Sequence, residues 1–113
     1  MITKKPITDL IRKRYSCRTY STRPIAKDLN DQLEQLLANS PAGPFGSRSR
    51  FGLITATDED RDALKDLGTY GFIKDPTGFI LSAVNRSPRD LEDFGYAMER
   101  NIIYATDLGL GTC

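Results

Sequence analysis

Apolar positions along the chain fall into a few periodic stretches separated by turn-forming segments. Ile7, Leu10, Ile11 and Tyr15 recur at i, i+3, i+4 and i+8, which predicts a helix from Pro6 to about Tyr15. Pro6 suits the first turn, where its missing N–H costs nothing. Polar residues then take over, and Pro24 biases Arg23 away from helix, so Ser16 to Ile25 is expected to be extended. Leu29, Leu33, Leu36 and Leu37 predict a second helix from Lys27 to Asn39, with Asp28, Asp31 and Glu34 placed early, where the helix dipole favours them. Two prolines and two glycines between Ser40 and Gly46 enforce a loop.

Phe51 to Thr57 reads as a strand, followed by a short helix through Ala63, Leu64 and Leu67 that Gly68 can end. Phe79 to Val84 is the most hydrophobic strand, and its near-continuous apolar character predicts cover on both faces. The longest element comes last. Ser87 is placed as its N-cap, Pro88 as its first residue and Asp90 at the third position. Its predicted buried stripe is Leu91, Phe94, Met98, Ile102, Ala105 and Leu108, widened by Tyr96 and Ile103, and Gly109 closes it in the left-handed conformation. Four helices and at least two strands define an α+β or α/β class, in a single domain over residues 1–113.

At 39% hydrophobic and 27% charged residues, the composition is that of a globular fold and not a disordered one. The apolar runs are too short to span a bilayer, and the first residues lack the apolar core of a secretory leader, so a cytoplasmic location without membrane contact is expected. The chain has no histidine, which removes His-based triads and the usual zinc sites. Cys17 and Cys113 are too few and too far apart to form a disulfide framework or a metal site. The net charge of +1 conceals an asymmetry: the first 27 residues carry +7 and the remainder −6. A basic segment on an acidic chain implies an anionic partner.

The informative stretch is Arg14-Tyr15-Ser16-Cys17-Arg18. If extended, it turns residues 14, 16 and 18 to one side, bringing two guanidinium groups and a hydroxyl together. That donor set suits a phosphate monoester. Two other readings stand beside it. The arginines form a solvated basic surface, or Tyr15 and Tyr20 among the cations make a nucleic-acid patch, which the acidic remainder of the chain disfavours. Cys17 alternates away from the arginines and is expected to be inert. Glu99, on the apolar last helix, is either buried and paired or turned to solvent.

Arg14-Tyr15-Ser16-Cys17-Arg18-Thr19-Tyr20 followed by Arg23-Pro24-Ile25 resembles the opening signature of the flavin-dependent nitroreductase family. The Ser40-Pro41 loop is similar to that family's Ser-Pro-Ser or Ala-Pro-Ser loop. Asp93-Phe94-Gly95-Tyr96-Ala97-Met98-Glu99 and Ala105 to Cys113, ending Gly-Leu-Gly-Thr-Cys, resemble its long central helix and the turn that follows. The resemblance implies an α+β fold, a sheet flanked by helices with a hydrophobic central helix, of which this chain is the N-terminal part. It also implies FMN. Arg14, Tyr15, Ser16 and Arg18 then occupy the positions that meet the flavin's phosphate and ribityl chain, while Ser40, Pro41 and Ala42 reach the flavin of the other subunit in a homodimer. Gly43-Pro44-Phe45-Gly46-Ser47 departs from the family's Asn-x-Gln-Pro-Trp run.

The implied activity passes electrons from NAD(P)H through the flavin to a small electron-poor acceptor such as a nitroaromatic or quinone. No catalytic side chain or metal is required. Positive charge near a reduced, anionic flavin stabilises it, and Arg18 is a contributor on that reading. Tyr70 and Lys74 are expected in a solvated loop. Family members are commonly about twice this length, so FMN binding by these residues alone is expected to be weak or absent.

Overall fold

A computed structural model describes residues 3–21, 23–55, 73 and 76–113. The described elements run α1 (Ile7–Lys13), α2 (Lys27–Ala38), β1 (Ser49–Thr55), β2 (Gly78–Val84) and α3 (Asp90–Asp107). This is an α+β arrangement, with an antiparallel strand pair and three helices. The short helix expected to end at Gly68, and the residues Tyr70 and Lys74, lie outside the described residues.

Helix α1 begins where the Pro6 carbonyl accepts the N–H groups of Asp9 and Leu10 at 3.0 and 3.1 Å. It stops two residues before the expected Tyr15, because Arg14 turns to extended backbone at ψ 133°. Of its predicted apolar face only Leu10 is buried, with no exposed surface at all, whereas Ile7, Ile11 and Tyr15 remain open. Helix α2 follows its prediction closely. It ends at Asn39, whose backbone and side-chain nitrogens both donate to the Gln35 carbonyl. Leu33 and Leu37 form the core with Ala105 of α3, and Phe51, Leu53, Ile80, Leu108 and Leu110 pack around them.

The two strands pair from Ser49↔Val84 to Thr55↔Gly78. Residues 49, 51 and 53 turn inward with Ile80, Ser82 and Val84 opposite, while Arg50, Gly52 and Ile54 face out. Strand β2 was expected to be covered on both faces, but Leu81 is 45% exposed and Ala83 is open as well. An antiparallel pair can leave one face to solvent where a parallel sheet, with helices on both sides, cannot.

Helix α3 departs from its prediction at both its start and its buried face. It begins at Asp90, after Arg89 adopts the left-handed conformation at φ 60°. Ser87 and Asp90 exchange contacts: the Asp90 N–H donates to the Ser87 carbonyl at 3.2 Å, and the Ser87 N–H donates to the Asp90 carboxylate at 3.3 Å. The Ser87 hydroxyl is thereby free to bond the Ser47 hydroxyl at 2.6 Å. The most buried face is Asp93, Ala97, Asn101 and Ala105, a four-residue spacing of small and polar groups, joined by Tyr104. Leu91 of the expected stripe is 71% exposed, whereas Phe94 stacks on Phe51 with ring centroids 6.2 Å apart. Glu99 faces solvent.

The far end of α3 is as expected. Gly109 has φ 85°. The Gly109 N–H donates to the Thr106 carbonyl and the Leu110 N–H to the Ala105 carbonyl, the paired bonds of a Schellman motif. Leu110 is tucked back against the Leu33–Leu37 core, the apolar contact that accompanies this ending.

Candidate functional site

Three contacts bring the two ends of the chain together. The Lys4 and Lys5 backbone N–H groups donate to the Asp107 carboxylate at 2.7 and 3.2 Å, so the last turn of α3 holds the entry to α1. Ser16 pairs in parallel with Thr112, with the Cys17 N–H donating to the Thr112 carbonyl at 2.8 Å. The Arg14 Nε donates to the Thr112 Oγ1 at 3.2 Å. Between these contacts lies a cavity of about 200 Å³, bordered by Lys13, Arg14, Tyr15, Thr106 and the Gly109–Thr112 segment.

The cavity is cationic. Among the described residues the one salt bridge joins Lys27 to Asp31, 2.7 Å apart on α2, so no described carboxylate forms an ion pair with Lys13 or Arg14. The Lys13 ammonium sits below its usual pKa. A hydrogen bond and charge repulsion from Lys5 lower it first and burial adds to this, while Asp107 partly opposes.

Arg14 and Tyr15 therefore border the cavity. Ser16 is half-buried in its pairing with Thr112, and Arg18 is exposed; neither lines the cavity. On its other side the Leu110–Thr112 segment borders a second, more apolar cavity of about 350 Å³, which reaches Tyr20, Phe79 and Met98. Burial pushes the Tyr20 phenol up to about 12, with smaller contributions from Cys17 and Cys113.

The Ser40 loop lies at a different place. Ser40 and Pro41 border a groove of about 560 Å³ between α2 and α3, with Arg100, Asn101 and Tyr104 opposite. The Ser40 hydroxyl is within reach of the Leu36 carbonyl at 3.5 Å and of Asn101 Oδ1 at 3.4 Å. Ala42 is half-buried and lines neither space. The loop is fastened by Asp93, fully buried on α3, whose carboxylate accepts the Phe45 and Ser47 N–H groups at 2.8 and 2.7 Å. Burial pushes this carboxyl's pKa up, but bonds from the Phe45 and Ser47 amides and the Ser47 hydroxyl outweigh it, so the group stays below the usual range. The Arg89 guanidinium lies over the Phe45 ring, 4.8 Å from its centroid.

Lys13, Thr112 and Asp93 are absent from the sequence-derived site. Lys13 was visible only as one cation among several, and Thr112 stands 98 residues from its partner Arg14. Asp93 left one trace, an acid at four-residue spacing from Ala97 and Asn101 on a largely apolar helix.

The sequence profile of the family described as "Putative TM nitroreductase" matches residues 6–113. The chain belongs to this nitroreductase family. Two solved structures share the fold. One is a putative nitroreductase in complex with FMN from Desulfovibrio desulfuricans, with TM-score 0.73 and 23% identity, covering 96% of this chain and 67% of that one. Another is a nitroreductase-like family protein from Bacillus cereus, with TM-score 0.64 and 21% identity, covering 98% of this chain and 70% of that one. No curated protein matches the chain at a significant level. The helix and turn that motivated the resemblance fall inside the matched region of this nitroreductase-family chain, as does the Arg14–Arg18 segment.

Proposed function

We propose that the chain grips the phosphate end of FMN in an oxidoreductase that moves electrons from NAD(P)H to nitroaromatic or quinone-type acceptors. On this reading it acts as a cytoplasmic homodimer. The observation that carries the proposal is the cationic cavity between the end of α1 and the Gly109–Thr112 turn, in a chain of nitroreductase-family sequence. At about 200 Å³ it falls short of the roughly 300–1,000 Å³ that encloses a whole small-molecule ligand, which fits one phosphate and not the flavin ring. Its donor set fits as well. Thr112 steadies Arg14 through Nε, which leaves the terminal guanidinium nitrogens for phosphate oxygens, and Lys13 adds a second cation.

When bound, FMN would supply the redox chemistry between NAD(P)H and the acceptor. The residues of this chain bind and orient. Arg14 and Lys13 hold the phosphate, and Tyr15, Ser16 and Arg18 continue along the ribityl chain. The Ser40–Ala42 loop, braced through its neighbours Phe45 and Ser47 by Asp93, reaches toward the flavin held by the partner protomer.

Titration of FMN and riboflavin by flavin fluorescence tests the reading. A charge-assisted contact contributes about 1.5–3 kcal/mol, so FMN is expected to bind roughly tenfold or more tightly than riboflavin, and Arg14→Ala to reduce that preference about tenfold. Equal affinity for the two flavins, or an unchanged preference in Arg14→Ala, overturns it.

A further inference from the structure

The strand pair carries a second concentration of positive charge. Residues 40–55 and 76–89 hold Arg48, Arg50, Arg86 and Arg89 and no acid, whereas the chain after residue 27 has 14 acidic against 8 basic residues. Arg48 and Arg50 flank the buried Ser49, so strand alternation turns both to the outer side, where both are exposed. They border one cavity of about 360 Å³ together with Ala83 and Asn85. It shares no lining residue with the cavity beside Arg14. Arg50 stands opposite Ala83 in the ladder, and the small methyl group leaves the space beside the guanidinium open.

No group on the protein neutralises this pair. Among the described residues neither guanidinium makes an ion pair or a hydrogen bond. The carboxylates that open α3 are engaged elsewhere: Asp90 accepts the Ser87 and Leu91 N–H groups, and Asp93 accepts those of Phe45 and Ser47. Arg89 is occupied as well, lying over the Phe45 ring. What remains is two planar guanidinium forks and the Asn85 amide around a space within the size range of small-molecule sites.

We propose that Arg48, Arg50 and Asn85 form a second anion site, which takes the phosphate monoester group of a small ligand. Each guanidinium offers paired N–H donors that match two phosphate oxygens, and a monoester charged about −1.5 to −2 at pH 7 balances two arginines. Two sources carry this group: a free phosphorylated small molecule, and NADPH, whose ribose phosphate NADH lacks. The site rests on the outer face of the strand pair and stands whether or not the cavity beside Arg14 holds FMN.

The side-chain Nε–H resonances of Arg48 and Arg50 in the ¹⁵N-labelled chain read the site directly, separately from the Arg14 cavity. Sodium phosphate replacing sodium chloride at constant ionic strength is expected to shift both resonances and to saturate. Arg48→Gln is expected to weaken the response at Arg50 roughly tenfold, the equivalent of one charge-assisted contact. Ala83→Glu supplies Arg50 with a cross-strand carboxylate and is expected to abolish the phosphate response without lowering the melting temperature, because the position is exposed. If NADPH saturates both resonances at a lower concentration than phosphate and NADH moves neither, the nucleotide is the source. If NADPH needs as much as phosphate or more, a free phosphorylated ligand is. Shifts that never saturate, an NADH response equal to that of NADPH, or a phosphate response kept in both Arg48→Gln and Ala83→Glu would each overturn the proposal.

Discussion

Gly43 carries a requirement that follows from one buried carboxylate. It opens the tight turn of the Ser40 loop, its N–H donating to the Ser47 carbonyl at 2.8 Å while its carbonyl accepts the Gly46 N–H at 3.0 Å. A Cβ at this position would lie 2.5 Å from both Cβ and Cγ of Asp93, and closer still to Oδ1. Real Cβ atoms essentially never approach so near, and this neighbour cannot swing away. Asp93 has no exposed surface and is tied by the Phe45 and Ser47 amides. Overpacking of a well-packed site costs about 1–3 kcal/mol, and a site tethered on both sides belongs at the upper end of that range. Gly43→Ala is therefore expected to lose about 3 kcal/mol in urea denaturation and roughly 10 °C in thermal melting. Gly95→Ala is the control. No atom lies within 4 Å of its built Cβ, and glycine within a helix costs about 0.8–1 kcal/mol against alanine, so this change is expected to stabilise. A Gly43→Ala protein within about 0.5 kcal/mol of the parent would refute the reasoning, because that spread is typical of surface changes that touch nothing.

Two further outcomes follow. Leu37→Ala, at a core residue only 3% exposed, is expected to cost about 2–5 kcal/mol by denaturant titration, and a loss under 1 kcal/mol would show that the core closes over the gap. Asp93 has a folded pKa below its ordinary value of 3.8, so its contribution is fully present above that pH and is lost as the pH falls from there through the folded value. Stability measured from pH 7 down to pH 2 is expected to be steeper below pH 4 in the parent than in Asp93→Asn, and parallel curves would contradict this.

How much was legible in the sequence depended on the range of the interaction. The α2 stripe of Leu33 and Leu37, the Gly109 ending and the strand cores at Phe51–Leu53 and Ile80 are written in periods of 3.6 and 2 and in single glycine requirements, and all appear in the fold. The α3 stripe holds at Ile103 and Ala105 but not at Leu91 and Tyr96, and it omits Asp93, Ala97 and Asn101, for a physical reason. Its buried face packs against α2 and the Ser40 loop, where close approach rewards Ala97 and where Asp93 has backbone donors waiting. A hydrophobicity pattern ranks such residues as surface. The Arg14–Arg18 segment was visible as a basic cluster, but its Thr112 partner and the Lys13 wall of the cavity were not.

The sequence by itself determined the α+β class, most of the element positions, the nitroreductase resemblance and the presence of a basic N-terminal segment. Those properties reside in local spacing and in charge, which survive reading one residue at a time. Only the tertiary structure decided what faces that segment. Joining residues 4 and 5 to 107, 14 to 112, and 43–47 to 93 requires the chain to close loops of tens of residues. No local period encodes such closures; they follow from packing α2 and α3 on β1 and α1 on α3. That closure turned a general excess of positive charge into a cavity bordered by Lys13 and Arg14.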